Sequence, residues 1–282
     1  MLSIPDALDV HARAARHKVD ALRSPARFLV SGMLAGAYIG IGVVLMVATA
    51  GPLLDGDTGL AKLVSGLVFG VALTLVVFAG GDLATSAMMI LPQGALMREI
   101  TPGQATVTLL ATTGANLLGA LGFAGLIVVS GVLHSNAPAG AMLQGMLSAK
   151  AHESPLELFV RGILCNLLVC LAIWMSARVA SDTAKILLIF AAILAFISSG
   201  FEHVVANMTT YGIGLFGGYA DATWLLFGSN VLWVGLGNLI GGGLFVGVAY
   251  WIIGGSPRRD RARSAADSQA QTVTADEGSS ID

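Results

Sequence analysis

Two polar stretches interrupt long apolar segments of this chain: FAGGDLATS at residues 78–86 and SSGFEHVVAN at residues 198–207. Each places glycine, an acid and hydrogen-bonding side chains in the middle of a run that would otherwise be a plain apolar helix. We therefore expect both helices to be broken there. Backbone freed from helical hydrogen bonding at membrane depth is tolerated only where protein or a water-filled cavity satisfies it. The two breaks predict one shared pathway between them.

The apolar runs around these breaks are long enough to cross a bilayer. Hydrophobic residues make up 55% of the 282 positions and charged residues only 11%, against about a quarter in an ordinary soluble protein. The segments that can each span about 30 Å of hydrocarbon as helices are residues 28–50, 62–91, 104–133, 156–178, 186–210 and 226–254. The sequence predicts an all-α membrane protein with six transmembrane helices, of which the second and fifth are broken.

The two ends of the chain differ in composition from the predicted membrane domain, residues 28–254. Residues 1–27 are predicted to form a cytoplasmic amphipathic helix against the membrane, with Ser3 and Asp6 spaced like a capping box. A gating role for this helix is the alternative. Residues 255–282 are rich in Arg, Ala, Ser and Asp without apolar periodicity, which predicts a disordered cytoplasmic tail.

The distribution of basic residues predicts the orientation of the chain. If an even number of spans places both ends on one side, all but three of the 15 Lys and Arg residues fall on that side. The exceptions are Lys62, Lys150 and Arg161. Because cytoplasmic loops carry the excess of Lys and Arg, we expect a multi-pass protein of the cytoplasmic (inner) membrane with both termini cytoplasmic.

The two halves of the membrane domain resemble each other. FLVSGML at residues 28–34 is similar to LFVRGIL at residues 158–164, and ANLLGA at residues 115–120 is similar to GNLIGG at residues 237–242. A half with three spans must be inverted relative to its copy. These two pairs of similar segments therefore predict an inverted 3+3 repeat, with a site near the midplane of the membrane.

Ionisable side chains inside membrane segments are costly and usually functional. We interpret Asp82 and Glu202 first as scaffold that caps the backbone donors freed at each break. His203 differs, because a histidine can carry or release a proton at physiological pH. The remaining histidines all fall outside the apolar segments: His11, His17, His134 and His152. One histidine at membrane depth does not supply the two axial ligands of a bis-histidine haem.

Three stretches carry a family resemblance: GDLATS at residues 81–86, NLLVCLAIWMS at 166–176 and SGFEHVVANM at 199–208. They resemble the signature segments of the formate/nitrite transporter family, and the similarity extends over residues 5–251. The resemblance implies a homopentamer with an aquaporin-like arrangement of helices and one pore through each protomer. It also implies a small monovalent anion and protons as partners within a lipid membrane, with no cofactor, no metal, no nucleic acid and no enzymatic activity.

The same resemblance assigns roles to individual positions. It places His203 at the centre of the pore, hydrogen-bonded by Thr85, and Lys150 in an outer vestibule that gathers anions. The other polar positions of the pore are Asn166, Asn207 and Glu202. The apolar constrictions fall on Phe69, Leu73, Leu83, Ala84, Val169 and Phe196. Many formate channels have Phe where this chain has Ala84, so this constriction is expected to be wider or softer.

These observations predict a channel for anions of weak acids such as formate and nitrite. A bare anion pays a large desolvation cost in a dry constriction, whereas its neutral acid does not. We therefore expect His203 to share or donate a proton so that an uncharged species crosses Leu73 and Phe196. Hydrosulfide or another short monocarboxylate is an alternative substrate.

Two alternatives come from other functional classes. A water or glycerol channel requires paired Asn-Pro-Ala turns, and none of the eight prolines lies in such a triplet. A membrane subunit of a redox enzyme requires cofactor ligands, which one intramembrane histidine supplies poorly. Cys165 and Cys170 are five positions apart on one predicted helix and so lie on different faces of it.

Overall fold

The computed structural model describes residues 1–56 and 59–255, and the regular structure of this part of the chain is helical. The tail expected over residues 255–282 therefore lies, apart from Gly255, outside the described residues. The helices are α1 Ile4–Ala21, α2 Pro25–Ala50, α3 Leu60–Leu75, α4 Ala84–Leu96, α5 Pro102–Ser130, α6 Val132–Ser135, α7 Ala137–His152, α8 Pro155–Arg178, α9 Asp182–Ser198, α10 Val204–Gly217, α11 Trp224–Gly242 and α12 Ala249–Gly254. A 3-10 turn, Gly51–Gly56, follows α2, and π turns extend α3 over Val76–Gly80 and join α11 to α12 over Gly243–Val248.

Five of these helical stretches are long and apolar enough to cross a membrane. They are Pro25–Leu54, Leu60–Gly80, Pro102–Ser130, Pro155–Arg178 and Trp224–Gly254. The fifth segment expected from the sequence is divided between α9, with 17 residues, and α10, with 14 residues. The second segment is likewise divided between α3 and α4, with residues 81–83 outside either helix.

Several helices begin at a proline, slightly before the start of the apolar run. Pro25, Pro102 and Pro155 each occupy the first turn of their helix, where the missing N–H of proline costs nothing. α2 therefore starts three residues before the expected position 28, and the amphipathic α1 ends at Ala21.

α7 lies outside the six segments expected from the sequence. Asn136 caps it, with its side-chain oxygen 3.3 Å from the backbone N–H of Ala139, and Lys150 lies in its last turn. Residues 137–152 are not among the predicted membrane spans, because 16 residues are too few to cross the hydrocarbon layer. This helix is the element that carries Lys150 to the site described below.

Small residues allow two pairs of helices to pack closely. In the α2–α5 pair, a Cβ added at Gly119 would lie 1.9 Å from the carbonyl oxygen of Met33. In the α8–α11 pair, a Cβ added at Gly241 would lie 2.2 Å from the carbonyl oxygen of Ile163. Interfaces of this kind are typical of membrane helices, where close backbone approach replaces the hydrophobic driving force.

α1 buries its apolar face against other helices of the same chain. Ala7, Leu8, Ala12 and Ala15 are buried in one cluster with residues of α4 and α8 and pack beside Tyr250 and Trp251. His11 is only 3% exposed. Its Nδ1 lies 2.7 Å from Oε1 of Gln93 in α4, and its ring contacts Trp174 of α8 edge-on at 5.1 Å between centroids.

Acidification should loosen α1. Burial lowers the pKa of His11 below its usual 6.5, and the hydrogen bond to Gln93 offsets part of this effect. As the pH falls below about 6.5, an undocked α1 takes up a proton that the docked helix excludes, so docking loses free energy. We expect hydrogen exchange in residues 4–21, corrected for intrinsic rates, to accelerate severalfold from pH 7.5 to 5.5. A His11→Gln protein should show no such change, and equal pH dependence in both proteins would contradict this role of His11.

Candidate functional site

Both breaks turn at a glycine with a left-handed backbone. Gly80 has a φ of +85° and Gly200 a φ of +74°, which side chains with a Cβ adopt only with strain. After each glycine the chain folds back on the helix that it leaves. The N–H of Gly81 donates to the carbonyl of Val76 at 2.9 Å, and the N–H of Phe201 donates to the carbonyl of Phe196 at 3.2 Å. The two breaks thus have the same local geometry.

A buried asparagine satisfies the backbone groups freed at the first break. Oδ1 of Asn116 accepts from the N–H of Ala84 at 2.8 Å. Its Nδ2 donates to the carbonyl of Gly32 at 2.9 Å and to that of Asp82 at 2.7 Å. The amide therefore fixes the break between α3 and α4 to both α2 and α5.

Asn238 makes the same three bonds at the second break. Its Oδ1 accepts from the N–H of Val204 at 2.9 Å. Its Nδ2 donates to the carbonyls of Gly162, at 2.8 Å, and Glu202, at 2.9 Å. Sequence reasoning did not assign either asparagine to the site, although both lie in the repeated motifs at residues 115–120 and 237–242.

The two carboxylates do not cap the breaks as the sequence analysis expected. The asparagines bind the freed donors instead, and each carboxylate pairs with a lysine. Asp82 accepts from Lys18 of α1, and Glu202 accepts from Lys150 of α7. Lys18 was counted only as a cytoplasmic charge, yet it lies in the last turn of the helix before α2, as Lys150 lies in the last turn of the helix before α8. Comparing the two halves would have found it.

His203 is held between the second break and α4. Its Nδ1 accepts the N–H of Ala206 at 3.2 Å, so the ring caps α10. Its Nε2 lies 3.0 Å from the hydroxyl oxygen of Thr85. Because Nδ1 acts as an acceptor, this arrangement holds a neutral imidazole with its proton on Nε2, directed at Thr85.

A cavity of about 550 Å³ extends from His203 to the surface. Its walls include Lys150, Glu202 and Asn207, three of the five polar positions expected along the pore. Nδ2 of Asn207 donates to a Glu202 oxygen at 2.6 Å and to Oδ1 of Asn230 at 2.7 Å. Asn230, in α11, was not predicted from the sequence and fixes the orientation of this amide.

Two phenylalanines stand beside the histidine at the end of the cavity. The rings of Phe69 and Phe196 meet edge-on at 6.0 Å, and the ring of Phe196 stacks beside His203 at 6.1 Å. The other expected constriction positions are at most 1% exposed and belong to the same hydrophobic cluster: Leu73, Leu83, Ala84 and Val169. The cavity therefore ends at an apolar layer.

Asn166 lies apart from the cavity wall. Its Nδ2 donates to the carbonyls of Thr85, at 3.1 Å, and Asn238, at 2.7 Å. Both donors of the amide are used, so Asn166 joins α8 to α4 and α11 and supports Thr85 through the backbone.

Metal-binding groups do not gather at this site. Within residues 1–56 and 59–255, no three His, Cys, Asp or Glu side chains could together hold a metal ion. Cys165 and Cys170 are buried and unpaired.

Comparison with known proteins agrees with the all-helical membrane fold. A family model described as formate/nitrite transporter matches residues 6–252. The chain belongs to the formate/nitrite transporter family. This confirms the resemblance found in the sequence, and the chain is a transport protein, not an enzyme.

Members of the formate/nitrite transporter family match over most of their length. The nitrite transporter NirC of Salmonella typhimurium is 40% identical over 263 residues, which cover 93% of this chain and 95% of that relative. A solved structure described as an FNT family ion channel has a TM-score of 0.81 at 39% identity, covering 88% of this chain and 98% of that one. A pentameric formate channel with formate bound has a TM-score of 0.72 at 29% identity, covering 83% of this chain and 98% of that one.

Proposed function

We propose that this chain forms a membrane channel for nitrite, formate and similar small anions of weak acids, and that they pass His203 in protonated form. The observation that carries the proposal is the position of His203. It lies at the inner end of a cavity of about 550 Å³, beside an apolar layer and between two breaks of equal geometry. A titratable ring at this point can exchange a proton with a solute before the solute meets the dry constriction.

The proposed membrane domain has six spans in an inverted 3+3 repeat, with α3–α4 as the broken second span and α9–α10 as the broken fifth. Asn116 and Asn238 make corresponding hydrogen bonds. Gly119 and Gly241 lie against corresponding carbonyl groups. A twofold axis in the membrane plane relates such halves and places the shared site near the midplane.

Basic residues would draw the anion into the cavity. Lys62, Lys150 and Arg161 line it, and a concave surface with positive charge raises the local concentration of anions. Lys150 is paired with Glu202, so it attracts the anion without binding it as tightly as a bare ammonium group would. Lys18 with Asp82 offers the corresponding pair on the other side of the breaks.

Proton exchange at His203 would follow capture. The resting ring presents its Nε2 proton towards Thr85, and carrying a second proton requires Nδ1 to release the N–H of Ala206. An adjacent anion compensates the charge of that imidazolium. When the imidazolium returns one proton to the anion, a neutral acid and a neutral imidazole result. The acid then crosses Phe196 and Leu73 without the cost of desolvating an ion.

The setting of the channel is also part of the proposal. We place both termini in the cytoplasm, by the distribution of Lys and Arg, and the chain in the inner membrane. Five copies would assemble as in the pentameric formate channel, with one pore in each protomer. Nitrite is placed before formate because the 40% identical relative is named a nitrite transporter and because Ala84 leaves room at one constriction.

Uptake by the purified protein in vesicles tests this function. Nitrite, formate and hydrosulfide should enter faster than into empty vesicles, and an acidic exterior should accelerate entry because it supplies the proton that accompanies the anion. Glycerol should not swell the same vesicles. Glycerol permeation without anion uptake would overturn the proposal in favour of the water and glycerol channel class.

A further inference from the structure

Glu153 is a partly buried acid of the outer cavity, and one of its carboxylate oxygens has no hydrogen-bond partner among the described residues. It follows α7 directly and lines the cavity, and its side chain is 11% exposed. Arg161 of α8 donates to Oε1. Among the described residues, Oε2 is buried without a hydrogen-bond partner. A buried acceptor in this state carries a desolvation cost, which a proton on that oxygen would reduce.

The charges around Glu153 also favour a proton. Burial raises the pKa of its carboxyl above the usual 4.5, and the negative charge of Glu202 raises it further. Lys150 and Arg161 act in the opposite direction and only partly offset these effects, while Glu157 adds a small rise.

Groups from other helices face the same region. Lys62 of α3 lines the cavity. Tyr211 of α10 interacts with the charges of Glu153, Glu202 and Asp221, and Asp221 accepts from Gln144 at 2.8 Å. The charges that act on Glu153 itself are those of Glu202, Lys150, Arg161 and Glu157, and burial is the largest influence on it.

Glu202 contrasts with Glu153 in its surroundings. Lys150 donates to both oxygens of the Glu202 carboxylate, and Asn207 donates to Oε2. It therefore has donors on both oxygens, whereas Glu153 has a donor on one. Of the two acids in the cavity wall, Glu153 is therefore the one whose negative charge is less well satisfied by hydrogen-bond donors.

We infer that Glu153 is a proton-binding site of the outer cavity and that its protonation increases capture of the anion. This inference rests on the proposed function. Oε2 takes a proton from water in the cavity, the carboxylate becomes a neutral acid, and the charge of Arg161 is no longer balanced. The formal charge of the wall, from Lys62, Lys150, Arg161, Glu153 and Glu202, then rises by one unit. The outer side would thus respond to acidity before the anion reaches His203.

The consequence is a dependence of the apparent KM on outside pH. Above pH 4.5 the fraction of protonated Glu153 grows as the outside becomes more acidic, because its pKa is raised above that value. A more positive wall raises the rate of anion capture. Added salt should weaken the effect, since charges exposed to water are screened.

A Glu153→Gln protein, which mimics the protonated acid, tests this site. In vesicles at low salt its KM for nitrite should be about threefold lower than that of the wild type at pH 7.5. The ratio of the two KM values should move towards one as the outside is made more acidic, because a growing fraction of the wild type is then itself protonated. Taking the ratio at each pH cancels the protonation of nitrite itself. The maximal rate should change little, because the constriction is untouched.

Two further variants keep the test informative. Glu157→Gln removes an exposed charge four residues away and retains a residue suited to the capping box with Ser154. Its KM should follow that of the wild type at every pH. Glu153→Asp keeps an acid and should retain the pH dependence, which also covers the case in which Glu153→Gln fails to assemble.

The outcomes separate this inference from the proposed function. A KM ratio that is constant with pH, or loss of pH dependence in Glu153→Asp, would overturn the role of Glu153 while anion uptake persisted. Absence of anion uptake by the wild type would overturn the proposed function itself.

Discussion

Replacing His203 with asparagine should lower nitrite uptake by vesicles on the order of a hundredfold while leaving the protein folded. Positioned acid–base groups contribute roughly a factor of 10²–10⁴ to reactions that need proton transfer, and asparagine cannot exchange a proton. Asparagine is, however, a good helix cap. Its Oδ1 can accept the N–H of Ala206 that the ring accepts now, whereas its Nδ2 lies one bond closer to the backbone than Nε2 and loses the contact with Thr85.

A second variant separates proton exchange from capping. His203→Phe fills the space but loses both hydrogen bonds, so it should lose uptake and also some stability. Initial rates are measured with equal amounts of protein and at several outside pH values. Unchanged anion flux in His203→Phe, or pH-dependent uptake at the wild-type rate in His203→Asn, would show that the ring is not the proton-exchanging group.

Replacing Asn238 with leucine should lower the stability of the protein substantially. The change removes three hydrogen bonds. It leaves the N–H of Val204 and the carbonyls of Gly162 and Glu202 without their partner. Hydrogen bonds between membrane helices average about 0.6 kcal/mol each, so the loss is at least about 2 kcal/mol. Groups that remain unsatisfied cost about 1–3 kcal/mol each. The Tm in detergent should fall by about 5–15 °C.

Asn116→Leu is the matched substitution in the other half. It removes the same three bonds at the first break and should lower the Tm by a similar amount. Thr106→Val is a control, because its exposed hydroxyl bonds only to a carbonyl of its own helix, at 3.1 Å. A large effect of one asparagine and none of the other would contradict the proposed equivalence of the two halves.

The residues of the central site were predictable because their chemistry is out of place in lipid. His203, Glu202 and Asn207 are polar side chains within an apolar run, and the structure brings them to one cavity wall. The pairing of Thr85 with His203 followed from the family resemblance, and the two side chains lie 3.0 Å apart.

Other parts of the site depended on contacts between distant segments. The prediction that Asp82 caps the first break was wrong. Its carboxylate pairs with Lys18 of α1, and Asn116 accepts the freed backbone N–H of Ala84 instead. α7 was missed because a helix of 16 residues is too short to be recognised as a membrane span from its hydropathy. Without this helix, the sequence predicted on which side of the membrane Lys150 lies but not that it pairs with Glu202.

The sequence by itself determined that this chain is helical, that it resides in a membrane and that two of its apolar runs are broken at glycine. These properties follow from local composition, because lipid forces each backbone group to find a partner within its own segment or at an interruption. Only the tertiary structure decided which amide satisfies each break, which lysine meets each acid and which oxygen of Glu153 is left without a donor. Those outcomes depend on distances of a few ångströms between residues far apart in the chain, and hydropathy and spacing do not encode such distances.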